Sequence, residues 1–320
     1  MLTILIWTYN RDEYLKQILN DLVLSKNFKQ IRLNIVFYGV SSISNDIYFK
    51  KLKKFKNINF FLEKKFLTDI EKIIKYSKKI KSKFLWILSD DDRIRINSVF
   101  EILSLLKKNK NISGVSLPYI SRKKINKKRY YFKEKKIYLK NFNIIKNFEI
   151  IGLRSAQIYN LKLLKNFFNK KNSEYFTAYI HTNFLINYFK NWKVLNTDIV
   201  IFRAGNLDNI RLGNLDNKKI NMLEDRLNSE FRGYLPNLKK NFPREYPLLF
   251  DKIFFTHIIS WLALNLQLNG RISSLNVLLN NKKLFTFNIK VFIFTIILFI
   301  MPKFFISLIK KVKFRKNQWK

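Results

Sequence analysis

From residue 2 to about residue 118 the chain alternates short apolar runs with amphipathic stretches of helical period. That alternation leaves few architectures open. Strands are expected at residues 2–6, 31–37, 58–62, 84–88 and 112–117. Between the first two, a helix over Asp12–Leu24 turns Leu15, Ile18, Leu19 and Leu22 inward. A second, from Thr68 to about Ile80, does so with Ile70, Ile73, Ile74 and Ile80. A third follows Ser98 with Ile102, Leu103, Leu105 and Leu106. Thr68 with Glu71, and Ser98 with Glu101, have the spacing of capping boxes. Phe84–Leu88 is apolar without a break, the mark of a strand covered on both faces. The predicted fold class is α/β: an open, mostly parallel sheet with helices on both faces, followed by a helical C-terminal region. Ligands of such sheets bind beyond the carboxyl ends of the strands, so the chemistry is sought just after them.

Composition removes several classes. The 320 residues include no cysteine, which excludes disulfide frameworks, zinc–thiolate sites, iron–sulfur clusters and cysteine nucleophiles. His181 and His257 are the two histidines, too few for a multi-histidine metal centre. Lys and Arg number 62 against 22 Asp and Glu, a net charge of +40. Such a surplus favours polyanionic partners, whether nucleic acid, anionic membrane or phosphorylated substrate. The apolar residues 1–6 lack a basic preceding region and are too short for a secretory signal, so the N-terminal region is expected to be cytoplasmic.

Ser89-Asp90-Asp91-Asp92 directly follows the buried strand. Three adjacent carboxylates repel one another unless a cation intervenes. Mg²⁺ or Mn²⁺ suits them, because hard cations take carboxylate oxygens and share a nucleotide's phosphates. The plainer alternative is a polar turn, weakened because the next helix has its own cap at Ser98. At the same edge Thr8, Tyr9, Asn10 and Arg11 follow the first strand, where Asn and Thr can bond a base or ribose and Arg11 a phosphate.

These two segments carry a resemblance. Leu2 to Arg11, with Tyr14, Leu15 and Leu19 after it, resembles the opening of family 2 glycosyltransferases, a hydrophobic strand ending Pro-Thr-Tyr-Asn-Arg. Phe84–Asp92 resembles their strand ending in an Asp-x-Asp motif. The layout is similar to bacterial O-antigen sugar transferases of the abequosyltransferase type, more weakly through Gly152–Ala156, Tyr179–His181 and Ile201–Asn206. The resemblance implies a GT-A fold, a nucleotide-sugar donor, a divalent cation (Mg²⁺ or Mn²⁺) held by Asp90 and Asp92, and inversion at the anomeric carbon. It implies donor contacts from Thr8, Tyr9, Asn10, Arg11, Asp69, Asp90 and Asp91. Arg203 is a further candidate, for clamping a diphosphate.

The chain also departs from the family. Trp7 stands where Pro is usual. Phe37–Ser42 lacks the base-binding acid expected after the second strand, and the first substitutes are Asn45 and Asp46. Lys65 replaces a common Gly, and Asp69 a common Asn. No Asp occupies Tyr175–Asn183, where the family carries its catalytic Asp, which leaves His181 as base, as metal ligand or as a packed structural residue. His257, in an apolar helix, is expected to be a core residue.

Residues 121–140 hold ten basic residues and one acid, with aromatics interleaved. Gly205–Asn209 recurs as Gly213–Asn217, read as loop. From Lys252 to Lys320 there are twelve Lys or Arg and no acid, and Val291–Met301 is an eleven-residue apolar run. The apolar stretch 284–309 is interrupted by Asn288, Lys290, Pro302 and Lys303, and fits an interfacial element rather than a span. The expected organisation is a nucleotide-sugar-binding half (1–118), an acceptor-side half (119–218) and a helical region with a polybasic tail (219–320). The expected partners are the donor, a lipid-linked saccharide acceptor and an anionic membrane surface at the cytoplasmic face of the inner membrane, with no specific nucleic acid. Two rival readings stand beside this one: a basic nucleic-acid-binding protein resting on +40 and the Arg122–Phe132 loop, and an inactive membrane-bound relative.

Overall fold

The computed structural model describes residues 1–9, 11–38, 46–65, 67, 69–95, 98–121, 138–152, 154–169, 180–196, 201–203, 231–285 and 289–301. The chain divides into two compact units, Met1–Ser173 with Tyr188–Gly205, and Glu174–Asn187 with Asn206–Lys320.

In the first unit β1 (Leu2–Tyr9), α1 (Asp12–Val23), β2 (Ile31–Tyr38), α2 (Ile47–Leu52), β3 (Ile58–Glu63), α3 (Asp69–Lys79), β4 (Phe84–Ser89), β5 (Asp92–Ile94), α4 (Ser98–Lys108), β6 (Gly114–Ser116) and β7 (Tyr119–Ser121) follow one another. Next come β8 (Tyr138–Asn141), α5 (Ile144–Ile151), β9 (Gln157–Asn160), α6 (Leu161–Asn169), β10 (Trp192–Asn196) and β11 (Ile201–Arg203). Eight strands form one sheet in the order β3-β2-β1-β4-β9-β6-β10-β8, and β5-β11-β7 form a second. The first four strands are mutually parallel, as the alternation predicts. The far half is mixed, because β9 runs antiparallel to both β4 and β6, and β8 antiparallel to β10.

Side-chain alternation explains the two covered faces. Leu2, Ile4 and Ile6 of β1 and Phe84, Trp86 and Leu88 of β4 share one core with the inward residues of α1 and α4. Leu5, Leu85 and Ile87 point the other way and are equally buried. On that second face Tyr76 of α3 meets Phe61 of β3 edge-on, 5.3 Å between centroids. The helix α3 differs from its expected orientation: Lys72, Ile73, Tyr76, Ser77 and Ile80 are buried, while Ile70 and Ile74 are only half-buried. The expected cap Thr68, the basic segment 122–137, both Gly-Asn-Leu-Asp-Asn copies, and the tail from 302 onward lie outside the described residues.

The second unit is helical where described: α7 (Ile180–Asn187), α8 (Leu235–Asn241), α9 (Tyr246–Ile253), a π-helical turn at Phe254–Ile258, α10 (Ile259–Leu268), α11 (Gly270–Asn280) and α12 (Ile289–Ile300). Phe250 and Phe254 both pack on Phe285. Asn237 of α8 donates to the Asn183 side chain of α7 at 3.3 Å. No helix among the described residues is long and apolar enough to cross a membrane.

Gly114 ties the mixed half together. It lies opposite Trp192 of β10 and Tyr159 of β9. A Cβ there would meet the Trp192 ring at 2.3 Å and the Ile158 carbonyl oxygen at 2.6 Å. The ring cannot yield easily, since its indole N–H donates to Ser116 Oγ at 2.9 Å and Ser116 donates to Gln157 at 2.7 Å, all buried. Gly114→Ala should therefore destabilise the first unit by roughly 2 kcal/mol or more. That is a fall in Tm of about 5 °C, measurable by calorimetry; an unchanged Tm would contradict this packing.

Candidate active site

The carboxyl ends of β1 and β4 lie side by side, with Trp7 opposite Ser89 in the parallel register. The chain leaving β4 turns through Asp90 and Asp91 into β5. Two contacts with the turn at Arg154–Ala156 hold the end of β4: the Trp86 indole donates to the Ser155 carbonyl at 2.7 Å, and the Ser89 N–H donates to the Ser155 hydroxyl at 3.0 Å. The Ser89 hydroxyl in turn donates to Asp91 Oδ1 at 2.7 Å.

Arg11, at the entrance of α1, reaches both turn carboxylates through one nitrogen, Nη1, 3.4 Å from Asp90 Oδ1 and 3.4 Å from Asp91 Oδ2. Asp90 is 5% exposed. Its burial raises the carboxyl pKa above the ordinary value, and the Thr8 hydroxyl and Arg11 offset only part of that rise. The Thr8 hydroxyl is itself buried without a formed hydrogen bond. Tyr9, the last residue of β1, is exposed.

Asp92 is 2% exposed and opens β5, where it lies opposite Arg203 of β11. Its neighbour Arg93 grips Asp21 of α1 with two nitrogens, at 2.5 and 2.6 Å. This bidentate pair anchors the strand that carries Asp92 against the helix that follows Arg11.

The sheet edge also holds cations that periodicity did not single out. Lys72 Nζ of α3 lies 5.3 Å from the Trp7 ring centroid and 4.5 Å from that of Tyr38. The guanidinium of Arg154 lies 4.5 Å from the same Trp7 ring. Trp7 is thus an aromatic platform for two cations. The readable signal is Lys72 itself, one residue before the inward Ile73 and four before the inward Tyr76.

Asp46 caps α2, accepting from the Tyr48 N–H at 2.8 Å, and pairs with Lys16 at 2.9 Å. It is engaged as a helix cap rather than presented to a base. Asn10 and Asn45 lie outside the described residues, as do the side chains of Asp69, first residue of α3, of Arg203 and of His257. His181 belongs to the second unit, in α7, whose residues Ile180 to Ile186 are all buried. Burial around a helix's whole circumference is what a packing residue shows.

The donor set can be tested against the implied cation. Among the described residues no group of three or more His, Asp or Glu could hold a metal alone. The carboxylates are hard oxygen donors, however, and Asp90 is costly to ionise with its nearest guanidinium at 3.4 Å. Mg²⁺ is commonly bound by one or two carboxylates together with substrate phosphates. The residues fit a cation that arrives with a diphosphate.

Compared by sequence, the chain matches no protein-family model and no curated protein. Compared by structure, it is similar to the S. aureus TarS fragment 1–349 in complex with UDP-GlcNAc, with a TM-score of 0.63 at 14% identity over 87% of this chain and 79% of that one. The same fragment without that ligand gives 0.61 at 15% identity, over 87% and 78%. A mannosyltransferase from Pyrobaculum calidifontis in complex with GDP-Man and Mn²⁺ gives 0.54 at 8% identity over 98% and 83%. The fold is therefore GT-A-like.

A raised folded-state pKa means that the folded protein holds the Asp90 proton more tightly than the unfolded chain. Stability then falls as pH climbs from the ordinary carboxylate value through the raised one. Asp90→Asn removes this penalty. In EDTA its Tm should exceed that of the native protein at neutral pH, and the gap should close below about pH 4. Melting curves across that range check it, and a lower Tm for the variant at neutral pH would contradict the electrostatics.

Proposed function

We propose that the protein is an inverting glycosyltransferase that moves a sugar from a nucleoside-diphosphate donor to a lipid-linked saccharide acceptor in surface polysaccharide synthesis. The observation that carries this reading is the pair of buried carboxylates, Asp90 and Asp92, at the carboxyl edge of the central strands of a GT-A-like sheet. UDP-GlcNAc in TarS, and GDP-Man with Mn²⁺ in the mannosyltransferase, support a nucleotide sugar and a divalent cation here. Asp90 and Asp92 would hold Mg²⁺ or Mn²⁺, which when bound supplies counter-charge to the departing diphosphate.

The chain's own residues have distinct tasks. Arg11 sets one guanidinium nitrogen against both Asp90 and Asp91 and so fixes the turn that carries them. Lys72 and Arg154, held over Trp7, offer positive charge to the donor's phosphates. Thr8, Tyr9, Asn10, Asp69 and Arg203 are further donor contacts in this reading. The acceptor hydroxyl must lose a proton as it attacks the anomeric carbon, and the sequence offers His181 as the candidate to accept it. The excess of cations supports a diphosphate-bearing acceptor, and with it work at the cytoplasmic face of the inner membrane. The nucleic-acid reading is disfavoured by the same acid edge, which repels phosphates that bring no cation.

Release of nucleoside diphosphate from a panel of nucleotide sugars tests the proposal. Turnover should require Mn²⁺ or Mg²⁺, fall at least a hundredfold in Asp92→Ala, and show a roughly tenfold weaker donor Kd in Lys72→Met. Turnover undiminished in EDTA or in Asp92→Ala would overturn the role given to the carboxylates.

His181→Ala separates two roles. A base predicts kcat lower by roughly 10²–10⁴ with donor affinity retained. A packing residue predicts a lower Tm with kcat per folded molecule unchanged, and that result would remove His181 from the mechanism.

A further inference from the structure

The helix α12 presents a stripe that a water-exposed helix does not usually carry. Ile289, Phe292, Ile293, Ile296, Ile297 and Ile300 recur at steps of three and four residues, so they share one face along the whole helix. All six are exposed, from 41% at Ile296 to 72% at Ile300. The opposite face is seated on the second unit, with Val291 and Leu298 buried and Phe294 packed edge-on against Phe255 at 5.3 Å. Thr295, the one polar side chain of α12 besides Lys290, donates its hydroxyl to the Val291 carbonyl at 2.8 Å, so it leaves no donor in need of water.

Charge identifies the occupant. Exposed Lys282, Lys283 and Lys290 lie just before or at the start of the stripe, and no Asp or Glu occurs anywhere from residue 252 to 320. A second copy of this chain would bring the same cations to the contact and be repelled. An anionic bilayer offers apolar depth and negative headgroups together. At about 18 Å the described helix is shorter than the ~30 Å hydrocarbon core, so it lies in the plane of the interface.

We infer that α12 is an in-plane membrane-docking helix whose Ile/Phe stripe enters the acyl region of an anionic bilayer while Lys282, Lys283 and Lys290 engage its headgroups. This gives the proposed membrane location a surface and does not rest on the donor chemistry. Nucleoside-diphosphate release without vesicle binding, or the reverse, separates failure of one from failure of the other.

The absence of cysteine makes the test direct, because one introduced thiol takes one label. Full-length Ile296→Cys, carrying an environment-sensitive fluorophore, should brighten several-fold with vesicles containing phosphatidylglycerol. It should then be quenched by nitroxides on the lipid chains. With neutral phosphatidylcholine vesicles the change should be small. The same label at Lys240→Cys, exposed on α8, should not respond. The variant combining Phe292→Ser, Ile296→Ser and Ile300→Ser should lower the vesicle-bound fraction at least tenfold with Tm unchanged. Three results would overturn the inference: a label indifferent to vesicles, brightening that follows protein concentration alone, as a self-association face would give, or vesicle binding undiminished in the triple variant.

Discussion

The first unit is organised around a carboxylate that is costly to keep charged. Asp90 sits at the end of a strand buried on both faces, and its desolvation outweighs what Arg11 and Thr8 return. An isolated charge in such a place would simply take up a proton. Here the surroundings hold it short of full compensation: Arg11 divides one nitrogen between two carboxylates, and Arg93 is engaged by Asp21. An edge left in this condition favours an incoming cation, and a diphosphate that travels with one. The ties from Ser155 to β4 and from Asp21 to β5 keep the carboxylates in position before any ligand arrives.

Much of this was legible in the sequence. The unbroken apolar run Phe84–Leu88 meant a central strand, and a central parallel strand ends where ligands bind. The inward face of α1 followed from the spacing of Leu15, Ile18, Leu19 and Leu22, all buried. Pairing across the far half was not legible. The strand β9, from residues 157–160, inserts antiparallel between β4 and β6, and nothing in a period-two pattern names a partner some seventy residues away. The Trp7 stack was hidden for the same reason, since Lys72 and Arg154 come from different segments and meet only through the sheet. His181 shows the limit of arguing from residue type. Its chemistry suits a base, while the burial of its whole helix is a property of packing that no local spacing reveals.

Charge and apolarity are segregated along the chain in a way that suits surface-bound work. The acids that matter lie at one sheet edge of the first unit. The second unit ends in a sequence without acids and carries an exposed apolar stripe on its last described helix. Cations run along the whole chain, whereas acids are missing from residues 252 to 320, so the apolar stripe stands in surroundings of one sign.

Titration calorimetry of a nucleoside diphosphate into the full-length protein, with Mn²⁺ and then with EDTA, tests the central claim most directly. The account predicts heat of binding with Mn²⁺ that is lost in EDTA, since the carboxylate edge repels a bare diphosphate. Equal affinity with and without the cation would contradict it, because Asp90 and Asp92 would then have no part in holding the donor.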